Sequence, residues 1–223
     1  MCAMADRHQP TLILASGSPR RRELLSLLGL PFVVRPADVP ELNHVGESPQ
    51  QMVLRLSQDK ARAAVAQAQG GLIVAADTTV ALDGRVVGKP VDVAEAEAIL
   101  RALRARQHTV LSGVTLLDPI SGWTCSEVAE STVWMRTYND QEIAAYVASG
   151  DPLDKAGAYA IQYLDFAPVA RIEGCYSNVM GLPLCHLYRL LREGGFAPPP
   201  TPVAACNRAH RRTCDVSSAI LSH

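Results

Sequence analysis

The strongest constraint on this sequence is how its apolar runs change period at capped junctions. Thr11 to Ala15 is a short apolar run with strand character. Ser18-Pro19 follows at once, an N-capping serine with proline at the first helical position. That helix turns Leu24, Leu25, Leu27 and Leu28 inward and stops at Gly29. Ser48-Pro49-Gln50-Gln51 is a capping box that opens a long alanine-rich helix running toward Gly70-Gly71. Leu72 to Ala76 reads as a second buried strand, ending directly at Asp77. Thr78 to Leu82 and Arg85 to Val87 flank Asp83-Gly84, a hairpin-turn pair.

The alternation continues. Asp92 and Glu95 cap a helix with Ile99, Leu100 and Leu103 on its apolar face, and strand-like runs follow at His108 to Leu117 and Ser126 to Met135. Asn139 and Glu142 cap a short helix that ends at Gly150. A polar loop and one more hairpin lead to Pro183, which starts a last helix striped by Leu184, Leu187, Leu190 and Leu191. Interleaved helices and strands of this kind predict an α/β fold with a mixed sheet.

Three segments are expected: a flexible N-terminus over 1–10, one folded domain over 11–196, and a tail over 197–223. The tail carries Pro198-Pro199-Pro200-Thr201-Pro202 and a basic stretch from Arg208 to Arg212, and is expected to be disordered.

Composition narrows the function. Of 223 residues, 48% are hydrophobic and 19% charged, enough for a substantial core. A net charge of −1 argues against a general electrostatic grip on nucleic acid, so positive charge used for an anion must be local. No apolar run is long enough to cross a membrane, and the first ten residues lack an apolar signal core. Six scattered cysteines without a Cys-x-x-Cys pair point to reduced thiols in a cytoplasmic protein. Cys206, His210 and Cys214 have a metal-like spacing, but three ligands in a loose tail make a poor closed site.

Three blocks carry candidate chemistry. Ser16-Gly17-Ser18-Pro19-Arg20-Arg21-Arg22 sets arginines in a first helical turn, where the helix dipole favours acids. An anion makes sense of this: small residues let backbone amides approach a phosphate and arginine supplies a bidentate fork. A solvated helix start would look the same. Ala76-Asp77-Thr78 puts a carboxylate at a strand end, able to hold a divalent cation or take a proton from water, or merely to cap a turn. In the third block, Asp154 to Gln162, charged residues precede small ones, and Gln162 could read a base edge; an ordinary loop entering a strand is the other reading.

Lys89 in Gly88-Lys89-Pro90 could neutralise phosphate oxygens. Glu41 and Lys60 are unreadable on their own. Tyr176 to Pro183 reads as a mainly structural turn. Kinase, zinc-protease and dehydrogenase motifs are missing.

In this order the blocks resemble the Maf family of nucleoside triphosphate pyrophosphatases. The resemblance runs from about Thr11 to Gly195 and rests on Ser-Gly-Ser-Pro-Arg-Arg, Ala-Asp-Thr, Gly-Lys-Pro, Asp-Lys-Ala-Gly-Ala-Tyr-x-Ile-Gln and Val-x-Gly-Leu-Pro. It implies two lobes around a central cleft, similar to inosine triphosphate pyrophosphatases. It also implies a divalent metal such as Mg²⁺ or Mn²⁺, a cytoplasmic location and removal of unwanted nucleotides, and it allows a homodimer.

By the same resemblance Asp77 is the catalytic proton acceptor, and Arg20, Thr78 and Gln162 hold specificity positions. Ser16, Arg21, Lys60, Lys89, Asp154 and Lys155 contact substrate, and Asp77 with Glu41 would hold metal. The branch acting on 7-methyl-GTP carries Trp where this chain has Arg20, Gln where it has Thr78, and Ser-Phe where it has Ala158-Tyr159. This chain is similar instead to the dTTP and UTP branch. A methylated-purine pyrophosphatase and a non-catalytic nucleotide-binding regulator of cell division are the alternatives, and nucleic-acid binding through the basic tail is the weakest. Ala160 replaces a common Gly, and Arg104-Ala105-Arg106 replaces a common Ser-Gly-Arg.

Overall fold

The computed structural model describes residues 11–68, 70–196 and 201–222. The expectations for 1–10 and for the proline run at 197–200 lie outside the described residues.

Among the described residues seven strands form one mixed sheet. In chain order they are β1 (Leu12–Leu14), β2 (Phe32–Val34), β3 (Leu72–Leu82), β4 (Arg85–Val87), β5 (Gln107–Leu117), β6 (Thr124–Met135) and β7 (Val169–Gly174). The spatial order is β2-β1-β3-β5-β6-β7, with β4 pairing to β3. β1 is parallel to both β2 and β3, and the long strands β3, β5 and β6 are antiparallel.

The capped helices form where the sequence signals them. In α1 (Pro19–Ser26), the Ser18 hydroxyl accepts from the Arg21 amide at 3.4 Å. In α2 (Pro49–Ala64), Ser48 and Gln51 exchange both capping-box hydrogen bonds, at 3.2 and 2.9 Å. α3 (Val93–Leu103) is capped by Asp92 and α4 (Asp140–Ala148) by Asn139 with Glu142. α5 (Tyr176–Val179) is one short turn that leads into α6 (Leu184–Glu193).

The long strands pass through two cores. One gathers Leu12, Leu14, Leu24, Leu25, Leu72, Val74 and Leu116 with the leucine stripe of α6. The other gathers Val80, Leu100, Leu103, Val110, Val133, Tyr138, Ile143 and Tyr146 between α3, α4 and the far half of the sheet. The two lobes therefore share strands, and the groove between them crosses the middle of β3.

Three expectations need correction. First, Asp77 is not at a strand end. The two runs read as separate form one strand, because β5 keeps pairing past the polar residues: Asp77 faces Gly113, Thr78 faces Ser112 and Thr79 faces Leu111. Second, no separate hairpin precedes α6; the segment supplies the single strand β7, which pairs with β6.

Third, the tail over 201–222 is not featureless. It forms α7 (Val203–His210) and α8 (Ser217–Leu221). Cys206 packs against the first core, and the Ile220 carbonyl accepts from Arg189 Nη1 at 2.8 Å. Alanines and helix-compatible polar residues can continue a helix once an apolar side chain has a core to enter. No three His, Cys, Asp or Glu side chains among the described residues gather into a metal-holding group, so the Cys206-His210-Cys214 spacing forms none.

Candidate active site

The site follows from the ends of two short strands. β1 pairs with β3 only as far as Leu14 and Val74, and β4 takes up the same side of β3 only from Val80. Between them β3 has an open edge at Ala75 to Thr79. Side chains alternate across a strand, so consecutive residues here leave on opposite faces.

Asp77 leaves on the α2 face. Its partner across the sheet is Gly113, where an added Cβ would meet the Val53 carbonyl of α2 at 2.1 Å. Glycine at 113 thus lets the α2 backbone lie directly on the sheet. That approach delivers Lys60, itself only 6% exposed, to Asp77, which is 4% exposed. Lys60 Nζ donates to Asp77 Oδ1 and to Glu41 Oε1, both at 2.6 Å, and Lys89 donates to Glu41 Oε2 at 3.1 Å. No described residue donates a hydrogen bond to Asp77 Oδ2. Partial burial pushes the Glu41 carboxyl up, but the Lys60 hydrogen bond and the charges of Lys60 and Lys89 outweigh it and leave its pKa at about 2.

Thr78 leaves on the α1 face. Its hydroxyl lies 2.8 Å from Ser112 Oγ and accepts from Arg21 Nη2 at 3.1 Å. Arg21 spends its other nitrogens on Ser16 Oγ at 3.2 Å and the Gly181 carbonyl at 2.9 Å. Burial pushes this guanidinium down from its ordinary pKa, against the pull of Asp77 and Glu41. Arg21 was expected to grip phosphate as a fork. In the structure it joins three cavity walls: the loop before α1, strand β3, and the turn after α5.

These groups line one cavity of about 730 Å³, a size suited to a nucleotide-like ligand. Arg20, Lys89, Asp154, Lys155 and Gln162 line it as well, so every site residue the family resemblance named falls on a single cavity, while Arg22 of the first block does not. Its cations are Arg20, Arg21, Lys60, Lys89 and Lys155, and its acids Asp38, Glu41, Asp77, Asp151 and Asp154. The two sets balance, so pairing decides where an anion sits.

Lys60 and Lys89 are paired as above. Lys155 donates to Asp154 Oδ1 at 2.6 Å and lies 3.0 Å from Asp151 Oδ1. Arg20 and Arg21 are the two cavity cations with no carboxylate partner among the described residues. The positive end of the cavity is therefore the start of α1, where the helix dipole adds to it. Burial raises the Asp154 carboxyl, but Lys155 and then Arg20 oppose that and leave its pKa lowered.

Motif reasoning missed several contributors. Tyr176 to Pro183 was read as structural, yet Met180 and Gly181 line the cavity and Gly181 is the Arg21 acceptor. The signal available was a glycine before Leu-Pro, and it adopts φ +110° here. Ser112 also went unnoticed; a Ser-Gly pair inside an apolar strand run was the clue. Asp151, which holds Lys155, had none.

Tyr159, another lining residue, is backed by His108, with Nε2 at 2.8 Å from the phenol oxygen. Burial lowers the His108 pKa to about 4, and its Nδ1 has no hydrogen-bond partner among the described residues. Ala160 lines the cavity. Ala105 does not, but holds φ +57°, which explains why glycine suits that position.

The sequence matches the family model described as Maf-like protein over residues 11–194. Among curated proteins, a dTTP/UTP pyrophosphatase of Thermomicrobium roseum is 46% identical over 195 residues, covering 86% of this chain and 87% of that protein. One of Anaeromyxobacter dehalogenans is 48% identical, covering 85% and 97%. One of Geobacter metallireducens is 43% identical, covering 82% and 96%. The matched stretch contains every element that builds the cavity, and on that extent of likeness the chain belongs to the family of Maf-like proteins.

Proposed function

We propose that this protein hydrolyses dTTP and UTP to the nucleoside monophosphate and pyrophosphate. The observation that carries this reading is the shared cavity. Arg20 and Arg21 of the α1 start, which have no carboxylate partner among the described residues, stand in the same space as Asp77, whose Oδ2 accepts from no described residue. Relatives named dTTP/UTP pyrophosphatase, similar over more than four-fifths of the chain, support the same substrate class.

In the mechanism, Arg20 and the backbone around Ser16 to Ser18 receive the triphosphate. Arg21 keeps those walls in register. Lys60 holds the Asp77 carboxylate in one orientation through Oδ1, leaving Oδ2 to take a proton from the water that attacks the α-phosphorus. Lys89, exposed and held among the described residues by Glu41 alone, can turn to the leaving pyrophosphate. Thr78 and Gln162 face the base and favour a pyrimidine edge.

The carboxylates also suit a divalent cation of the Mg²⁺ or Mn²⁺ type, because hard oxygen donors are present without a complete protein cage. Asp77 and Glu41 would hold it together with substrate phosphates, and it would supply charge neutralisation on phosphate oxygens. The reading includes a cytoplasmic setting and allows a homodimer; no helix among the described residues is long and apolar enough to cross a membrane.

The test is pyrophosphate release from dTTP, UTP, GTP and 7-methyl-GTP with Mg²⁺, Mn²⁺ or chelator. Preference for the two pyrimidines, lost in chelator, is expected. Preference for 7-methyl-GTP would move the chain to the other branch, and nucleotide binding without release would favour a regulator.

A further inference from the structure

Residues 201–222 lie beyond the 11–194 stretch matched by the family model, yet they are docked against the body of the protein. The docking is specific. Arg211, at φ +50°, ends α7 in a left-handed turn, and the Arg212 amide returns to the Asn207 carbonyl at 3.2 Å. The Asn207 side chain secures the same turn by accepting from the Cys214 amide at 3.0 Å. The turn brings two side chains to one ring. His210 lies 4.8 Å from Tyr176, centroid to centroid, and the Arg212 guanidinium stands 5.0 Å from the centroid of that ring. Further along, α8 is tied to α6 through Arg189 and the Ile220 carbonyl.

Tyr176 opens α5, and α5 is the support of the Gly181 wall. The Met180 amide donates to the Tyr176 carbonyl at 3.2 Å, the Leu182 amide to that of Ser177 at 3.0 Å, and the Gly181 amide to that of Asn178 at 2.8 Å. Gly181 then accepts from Arg21 and from Thr78. The inner side of α5 is pinned by Asn178, which donates to the Val110 carbonyl and to Ser131 Oγ, each at 3.0 Å. The Tyr176 ring packs on one side against the first core and is covered by His210 and Arg212, both from the tail.

We propose that residues 201–222 form a clasp that holds Tyr176 through His210 and Arg212 and so positions the Gly181 wall of the nucleotide cavity. Tyr176 and the tail are positioning elements; neither touches the ligand. A cation over an aromatic face and a packed ring pair are each modest contacts. Releasing them loosens the α5 turn without unfolding a core that Asn178 still pins.

As a proposal about substrate binding, the clasp rests on the nucleotide reading, so the experiment has one readout that does not. In the full chain, His210→Ala/Arg212→Ala is compared with wild type by amide hydrogen exchange in the ligand-free protein and by steady-state dTTP hydrolysis. Exchange at Gly181 and Leu182 is expected to quicken at least tenfold, and KM to rise at least threefold with kcat within twofold. Tyr176→Phe, which keeps the ring, is expected to match wild type on both readouts, whereas Tyr176→Leu follows the double variant. Unchanged exchange at Gly181 and Leu182 in the double variant overturns the clasp. Faster exchange with unchanged KM also overturns its role in substrate binding. A wild-type chain inert toward dTTP defeats the nucleotide reading instead, and the exchange result then judges the clasp alone.

Discussion

Lys60 Nζ lies 2.6 Å from Asp77 Oδ1 and 2.6 Å from Glu41 Oε1, so one ammonium closes a carboxylate pair at the floor of the cavity. Both Lys60 and Asp77 are buried, while Glu41 is exposed on its loop. Removing one partner of a buried pair leaves the other charge unpaired, which costs about 3–5 kcal/mol. Lys60→Met is expected to lower unfolding free energy on that scale, measured by urea denaturation, and to cut kcat. Asp77→Asn keeps a hydrogen-bonding side chain and the fold, but loses about 10²–10³ in turnover. Near-normal turnover in Asp77→Asn would remove Asp77 from the chemistry.

Arg21 supports a second expectation. Its three nitrogens reach Gly181, Ser16 and Thr78, and an ammonium cannot span those acceptors from one point. Arg21→Lys keeps the charge and is expected to cost about 1–3 kcal/mol through unsatisfied buried oxygens. If Arg21 instead grips phosphate as a simple charge, the lysine variant retains stability and loses only substrate affinity. Thermal or urea unfolding beside dTTP kinetics separates the two.

The pH dependence has a definite sign. His108 has its folded pKa lowered from 6.5 to about 4, so the unfolded chain binds more protons between those values. The stability linked to its neutral form is full above about pH 6.5 and is lost as pH falls toward 4. Glu41, lowered from 4.5 to about 2, contributes above pH 4.5 and loses its share as pH falls toward 2. Urea midpoints are therefore expected to fall from pH 7 to pH 5 mainly through His108. His108→Asn should flatten that segment; an equal slope in the variant would assign it to other groups.

Much of this was legible in the residues. Caps at Ser18, Ser48, Asp92 and Asn139 marked four helix starts correctly, because a cap is a local hydrogen bond between neighbours in sequence. Asp77 was picked out but set at a strand end, since a polar trio interrupts the apolar run; pairing to β5 satisfies that backbone and carries the strand on. Lys60 and Glu41 were silent for a different reason. Their meaning lies in meeting each other across α2 and a loop, and that depends on Gly113 admitting α2 to the sheet. The helices at 203–210 and 217–221 were not legible because the basic residues there report local charge, while their packing depends on a core supplied by the rest of the chain.

The most direct measurement follows the oxygen. Hydrolysis of dTTP in ¹⁸O-labelled water, resolved by mass spectrometry, identifies the phosphorus attacked. Attack at the α-phosphorus predicts one labelled oxygen in dTMP and none in pyrophosphate. Label in pyrophosphate, or formation of dTDP and orthophosphate, would contradict the account.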